Sequence, residues 1–454
     1  MPVLDRPLTF LDSFKQMEPL LRATGSERLH DLRTAAYRRF SLVELPTSKD
    51  EEFKYTPLRE LGASEFGPAY GATLDRGQLS DLRLGEVDAA TLTFVNGQFA
   101  PELSDTPGLP EGVTLLPIEE ALAFDEEAVM RYLGKIAHFE GRLGSSNDNR
   151  FTDLNTAFLA EGAVLLVDRG VQLEQLVHLQ FLQFANHGQF AAHPRVLIAL
   201  AEGASAKVIE SYAGMSGRYF NNPVTEIYVS RGANLEHTRV QMETPEAIHV
   251  GAVFSHQEGD SVFTSNTASF GAQVSRLDLN VFLDGEHTET WLNGAYMGFG
   301  SQVVDNHTRI DHAKPNCNSF EVYKGILGGR STGVFNGKIF VYEDAQKTDA
   351  KQTNQAMLLS PTSTINTKPQ LEIFADDVKC THGATVGQLR EDALFYLRAR
   401  GIPEGQAKGL LVYAFVAEVL EKISIDAVRE ALEQELYSRL ASSSEVEELP
   451  EERE

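Results

Sequence analysis

The stretch ADDVKCTHGATVG, residues 375–387, contains one of only two cysteines in the 454-residue chain and a histidine two positions after it. On an extended strand, side chains two residues apart point to the same side. Cys380 and His382 would then project in parallel, with Cα atoms about 6.6 Å apart at roughly 3.3 Å per residue. Thiolate and imidazole ligands suit zinc, copper and iron, whereas carboxylates alone would suit calcium or magnesium. Cys380 and His382 are therefore candidate metal ligands.

This pair supplies only half of a tetrahedral site, and iron–sulfur clusters usually need four ligands. A bound cluster would need further ligands from elsewhere in the chain or from a second chain. On spacing alone two alternatives stay open. Cys380 can be a small buried residue with His382 in a turn before Gly383, or the two can act as nucleophile and base without a third group to orient the base. The other cysteine, Cys317, lies in a predicted loop with no ligand pattern nearby and is interpreted as structural or incidental.

Composition and charge exclude several classes of function. The chain has 40 Lys and Arg against 65 Asp and Glu, a formal charge of −25, which disfavours nucleic acids and anionic membranes as partners. Its N-terminal residues do not resemble a signal peptide, and its longest apolar runs are far short of the roughly 20 residues of a membrane span. We therefore expect a cytosolic protein with free thiols. Without a GxxxxGK[ST] loop, the chain is expected to bind no nucleotide.

The elements that must position these residues fall into four segments. Residues 1–154 are expected to form a mostly helical domain with one hairpin at Asn96-Gly97. Residues 155–384 contain short β-branched and aromatic runs such as VSRLDLNVFLD, typical of strands with one buried face. Residues 385–440 show helical periodicity, with Gly401 as a stop between two helices. Residues 441–454 are glutamate-rich and are expected to form a solvated tail.

Glycine-centred turns recur between the predicted strands. Gly203, Gly232, Gly259 and Gly285 are separated by 29, 27 and 26 residues, and Gly337 follows 52 residues later, twice 26. A period of this length, with no helix between the strands, favours a β-solenoid in which each turn stacks on its neighbours. A large β-sandwich with evenly spaced hairpins is the alternative. We expect the C-terminal helices to close the open end of the solenoid, and their apolar residues to dock a partner. The candidate docking residues are Leu410, Leu411 and Phe415.

Residues 333–420 closely resemble the SufB/SufD family of iron–sulfur cluster scaffold components, and PTSKDEEFKYTPL at residues 46–58 resembles that family's N-terminal signature. Within the family, KPQLEIFADDVKCTHGAT is more similar to the SufD branch than to the SufB branch, whose members are expected to be longer and richer in cysteine. This resemblance implies a mainly β fold, a right-handed parallel β-helix between N-terminal and C-terminal helical domains.

The resemblance also implies partners and a cargo. A SufD-type chain is expected to pair with SufB through the β-helix and to bind the ATPase SufC through its C-terminal helices, with a homodimer as a further possibility. Cys380 and His382 then occupy positions associated with the SufB–SufD interface, where transient iron or a nascent iron–sulfur cluster is shared with SufB. His382 is the better supported ligand. The resemblance links such a chain to iron acquisition, assigns it no enzymatic activity and gives ATP hydrolysis to SufC.

Two other classes of protein are compatible with a β-solenoid. A β-helix carbohydrate-active enzyme would carry acidic residues along one solenoid face and would need export, for which the sequence shows no signal. A self-contained β-helix metalloprotein would bind its metal within a single chain.

Overall fold

A computed structural model describes residues 10–442, apart from residues 64–65, 69–83, 85–86, 138–148 and 186–187. The described helices are α1 (Phe10–Ala23), α2 (Glu27–Phe40), α3 (Arg59–Ala63), α4 (Ile118–Tyr132), α5 (Arg150–Ala157), α6 (Glu391–Ala399), α7 (Glu404–Leu420) and α8 (Asp426–Ser442), with 3-10 turns at Glu51–Phe53 and Pro101–Leu103. The acidic tail predicted for residues 441–454 lies outside the described residues from residue 443 onward.

The first strands belong to the periphery and to the early turns of the solenoid. They are β1 (Gly67–Pro68), β2 (Ala89–Val95), β3 (Gln98–Phe99), β4 (Val113–Pro117), β5 (Gly162–Val167), β6 (Leu176–Gln183), β7 (Phe190–Ala192), β8 (Arg195–Leu200), β9 (Ser205–Gly214), β10 (Tyr219–Asn221), β11 (Val224–Val229) and β12 (Asn234–Met242). The later strands are longer and more uniform. They are β13 (Ile248–Gln257), β14 (Val262–Ser269), β15 (Val274–Leu283), β16 (Glu289–Gly298), β17 (Val303–His312), β18 (Asn318–Leu327), β19 (Thr332–Val341), β20 (Asp349–Leu358), β21 (Thr364–Ile373) and β22 (Lys379–Gln388).

Successive strands alternate between two sheets, so that each turn of the chain adds one parallel strand to each sheet. The first sheet runs β5-β8-β11-β13-β15-β17-β19-β21, and the second runs β6-β9-β12-β14-β16-β18-β20-β22. This in-register parallel pairing confirms the mainly β solenoid flanked by helices and excludes the β-sandwich alternative. The Asn96-Gly97 hairpin is also confirmed, since both residues have positive φ between the antiparallel β2 and β3.

The repeat predicted from the glycines corresponds to one residue per turn in the left-handed backbone region. These residues lie 27 to 31 positions apart, and they are Gly203, Gly232, Asp260, His287, Asn316 and Lys347. The interpretation of Gly337 as the next turn is wrong, because it lies in the middle of β19. A Cβ at Gly337 would stand 2.1 Å from the side-chain nitrogen of Gln352, so this glycine provides space inside the solenoid.

The two helical regions cover the outer faces of different sheets. Helices α1, α2 and α5 pack over the first sheet, where Val250, Val274 and Val303 point outward into their apolar cluster. The C-terminal helices pack over the second sheet through the buried faces of α7 and α8. The outward residues of that sheet in this cluster are Ile209, Val240, Ala268, Ala295, Met297 and Ile326.

The expectation that the C-terminal helices close the end of the solenoid is therefore wrong. Helix α7 is apolar nearly all round and needs a broad surface to bury itself, which a sheet flank provides and a single terminal turn does not. Strand β22 also continues to Gln388, and α6 begins only at Glu391. Thr385, the first residue of the segment expected to be helical, instead pairs with Gln355 in β20.

Candidate metal centre on the terminal turn

Cys380 and His382 lie on β22, the last strand of the second sheet. Their Cα partners in β20 are Ala350 and Gln352, respectively. Among the described residues, no strand pairs with the other edge of β22. The predicted strand geometry is thus found at these two positions, although the strand begins at Lys379 rather than earlier in ADDVK.

The two candidate ligands differ in their surroundings. His382 is exposed, whereas Cys380 is half-buried against a small apolar cluster that includes Ile339, Val341 and Ala350. Burial, reinforced by the nearby charge of Asp349, raises the pKa of the Cys380 thiol. Because the thiolate is the metal-binding form of cysteine, His382 is the more available ligand of the two.

At the terminal turn, apolar side chains and the backbone edges of the last two strands are exposed. Strands β21 and β22 are each ten residues long, and each ends its sheet among the described residues. Ile373, Phe374 and Val386 at this end are 39%, 59% and 48% exposed. Long exposed strand edges of this kind are surfaces that proteins normally cover or pair.

Beneath His382, the interior of the solenoid holds a column of polar side chains that sequence reasoning missed. Gln352 and Glu321 occupy the position equivalent to His382 in the two preceding turns. Gln352 Nε2 donates to Glu321 Oε2 over 2.7 Å, and both side chains are buried. Burial raises the pKa of the Glu321 carboxyl to about 7. These three positions are 31 and 30 residues apart, close to the period of the solenoid, but only the strand pairing shows that they are equivalent.

No group of three or more His, Cys, Asp or Glu side chains in the described part of the chain is arranged to hold a metal ion. Cys317 is buried in the core, with its Sγ 3.1 Å from the carbonyl oxygen of Gly285, which supports its structural interpretation. The donors that the structure places together at the terminal turn are thus Cys380 and His382. Within the described ranges, no further His, Cys, Asp or Glu side chains join them in a group that could hold a metal ion.

The segment PTSKDEEF forms a second concentration of polar groups, on the outer face of the first sheet. The buried Arg276 guanidinium lies 4.0 Å from the centre of the Phe53 ring, donates to the Glu52 carbonyl over 2.6 Å and pairs with Asp305 over 2.8 Å. Glu52, Arg276 and His307 are among the residues that line a cleft of about 250 Å³. Burial and Arg276 both lower the pKa of His307, but the carboxylates of Asp305 and Glu52 outweigh them and raise it to about 9. This network attaches the N-terminal segment to the solenoid.

Together these features define a parallel β-solenoid protein with helices on its flanks and a cysteine–histidine pair on an open terminal turn. Residues 5–179 match the SufBD protein N-terminal region, and residues 183–415 match the SufBD core domain of the SUF system for FeS cluster assembly. The chain belongs to the SufBD family of iron–sulfur cluster assembly proteins.

Three relatives illustrate this membership. An iron–sulfur cluster assembly SufBD family protein of Synechocystis sp. is 32% identical over 92% of both chains. The iron–sulfur cluster assembly protein SufD of Escherichia coli K12 is 31% identical over 94% of this chain and 96% of its own. The chloroplastic protein ABCI7 of Arabidopsis thaliana is 30% identical over 92% of this chain and 87% of its own. A role in iron–sulfur cluster assembly follows from the family, and the carbohydrate-active enzyme and the self-contained metalloprotein are not favoured. No helix in the described ranges is long and apolar enough to cross a membrane.

Proposed function

We propose that this chain is a SufD-type, non-enzymatic scaffold subunit that acts with SufB and SufC in the cytosol. The observation that carries the proposal is the open terminal turn, which presents the exposed His382 and the half-buried Cys380 beside strand edges that no described strand pairs. The similarity to the E. coli protein named SufD, over nearly the full length of both chains, supports the same assignment.

The geometry favours a site shared between two chains. Two donors on one strand can hold iron or a nascent cluster only when a second chain contributes the remaining ligands. The uncovered edges of β21 and β22 give SufB a surface next to these donors, and pairing there would satisfy the free backbone groups. Iron and the nascent cluster are cargo in this scheme, and a partial ligand set on each chain allows their release. A second copy of this chain could occupy the same edge, which makes a homodimer the competing assembly.

We assign the binding of SufC to the C-terminal helices, on residues that differ in part from those expected from the sequence. Leu410 is 43% exposed on α7, and Phe395 and Tyr396 on α6 are 75% and 56% exposed. Phe415, in contrast, packs toward the solenoid, where the Lys324 ammonium lies 5.1 Å from its ring centre. The docking surface is therefore assigned to α6 and the exposed side of α7, with ATP hydrolysis in SufC.

The test is anaerobic co-expression with SufB and SufC, followed by measurement of iron and acid-labile sulfide in the purified complex. His382→Ala and Cys380→Ala should yield assembled complexes with less of both, and His382→Ala should have the larger effect. His287→Ala is the matched control, because His287 is an exposed histidine in a turn of the same solenoid. Undiminished clusters in both ligand variants would refute the site assignment, and failure to recover a complex from the wild-type chains would refute the proposed partners.

A further inference from the structure

The polar column beneath His382 is set by the register of three parallel strands. Glu321, Gln352 and His382 occupy one position in β18, β20 and β22, and in-register parallel strands point such residues to the same side. Neighbouring strands lie about 4.8 Å apart, so the side chains of consecutive turns are within reach of one another. The column opens at the terminal turn, where His382 is exposed.

The amide of Gln352 is held in a fixed position. Its Nε2 donates to Glu321 over 2.7 Å. The same nitrogen lies beside Gly337, 2.1 Å from the point where a Cβ of that residue would stand. Its Oε1 is buried and has no hydrogen-bond partner in the described structure. Because Nε2 is committed to the preceding turn, Oε1 is the atom left for the following turn, where His382 lies.

The partner of this amide is unusual for a purely structural residue. Glu321 is 1% exposed, and no cation among the described residues contributes to its electrostatics, although a buried carboxyl without a cation is costly to maintain. Glu321 does fix the orientation of the Gln352 amide by accepting its N–H. A histidine that binds a metal commonly donates its other ring N–H to a carbonyl or carboxylate, which selects the tautomer and orients the ring.

We propose that Gln352, oriented by Glu321, is a positioning residue that accepts a ring N–H of His382 and so presents the other ring nitrogen at the open end of the solenoid. That this nitrogen meets iron rests on the function proposed above. The hydrogen bond from His382 to Gln352 does not, because it is proposed for the iron-free chain, in which the described structure leaves Gln352 Oε1 without a partner.

The experiment observes the tautomer of His382 directly. In full-length protein labelled with ¹⁵N at histidine, long-range ¹H–¹⁵N spectra report which ring nitrogen carries the proton, and His382→Asn identifies the His382 signals. Wild type should show one dominant tautomer. Gln352→Met should shift both ring nitrogens toward the averaged values of an exposed histidine such as His287, whereas Glu321→Gln keeps an acceptor for the amide and should preserve the wild-type signals.

Gln355→Met is the matched control, since it makes the same change on the same strand with the side chain on the opposite face of the sheet. The other histidine signals report whether each variant is folded. If Gln352→Met does not fold, Gln352→Asn replaces it, because the shorter amide cannot reach both neighbouring turns and should also release the His382 ring. Unchanged His382 signals in the folded variant, or an equal change in Gln355→Met, would overturn the inference.

Anaerobic titration with Fe²⁺ of the same variants, each purified as the complex with SufB and SufC, separates this inference from the proposed function. Gln352→Met should weaken binding by about ten- to a hundredfold, the usual effect of losing a partner that orients a metal ligand. If His382→Ala leaves Fe²⁺ binding intact while the tautomer still depends on Gln352, the proposed function fails and the positioning role stands. If the tautomer is independent of Gln352, the positioning role fails whatever the iron titration shows.

Discussion

Replacing Glu321 by glutamine should stabilise the protein at neutral and alkaline pH. Burial raises the pKa of this carboxyl from 4.5 to about 7, so the folded protein retains a proton that the unfolded chain has already lost. The favourable contribution of the protonated carboxyl is complete below pH 4.5 and is lost as the pH rises through 7. The difference between the pKa values of the folded and unfolded states corresponds to about 3 kcal/mol of unfolding free energy. Glu321→Gln removes this loss, because a neutral amide replaces the acid at every pH.

The single tryptophan gives a local measurement of this effect. Trp291 lies in β16, one turn before Glu321, and its ring stacks on Phe320 of β18 with centroids 4.4 Å apart. Urea unfolding of wild type and variant, followed by Trp291 fluorescence between pH 5 and pH 8.5, therefore reports on the turns that contain Glu321. Wild type and variant should have similar stability near pH 5, and the variant should gain up to about 3 kcal/mol by pH 8.

Wild type and each variant share all their other titratable groups. The pH dependence that these groups give to the unfolding free energy therefore cancels in the difference between the two proteins. Glu343→Gln, which makes the same change at an exposed position in a later turn, should show a difference from wild type that does not vary with pH. A pH-independent difference for Glu321→Gln, or a variant less stable than wild type at pH 8, would refute the conclusion that burial raises the pKa of Glu321.

Three further perturbations test other parts of the structure. Arg276→Ala should lower the unfolding free energy by about 1.5–3 kcal/mol in urea titrations, because it removes a charge-assisted hydrogen bond to the buried Asp305 carboxylate while His307 remains beside it, whereas Arg330→Ala in an exposed turn should have little effect. Gly337→Ala should cost about 1–3 kcal/mol in the same assay through its clash with Gln352, and wild-type stability would contradict the packing described for that amide. Leu410→Glu should reduce co-purification of SufC with no loss of β-helix circular dichroism, and undiminished co-purification would move the docking surface away from α7.

The repeat was predictable from the sequence because each turn of the solenoid needs a residue in the left-handed region. Gly203 and Gly232 occupy such positions themselves, while Gly259 and Gly285 stand next to Asp260 and near His287, which adopt them instead. Asparagine, aspartate and glycine tolerate this backbone more readily than other residues, and histidine is also enriched there. The spacing of glycines therefore indicated the period correctly and misplaced one turn, at Gly337.

The polar column could not be predicted from the same spacing. Turn lengths vary by several residues along the solenoid, and a register error of one residue moves a side chain from the interior to the surface. Without the strand pairing, Glu321 and Gln352 are two of many polar residues in an acidic chain. The pair Cys380 and His382 was predictable because both residues lie on one strand, where the period of two applies without knowledge of register.

The placement of the C-terminal helices explains why the terminal turn is accessible. Lys324 of β18 donates to the Phe415 carbonyl oxygen over 3.0 Å and to Glu418 over 2.5 Å, which anchors α7 two turns before the end of the second sheet. The chain must therefore reverse after β22 and run back along the flank of the solenoid. A cap in the expected position would have covered His382 and the edges of β21 and β22 with the chain's own helices. Anchoring α7 at β18 buries the apolar helix and leaves Cys380, His382, the polar column and the edges of β21 and β22 accessible at the same end of the solenoid, which is the end to which the proposed partner chain is assigned.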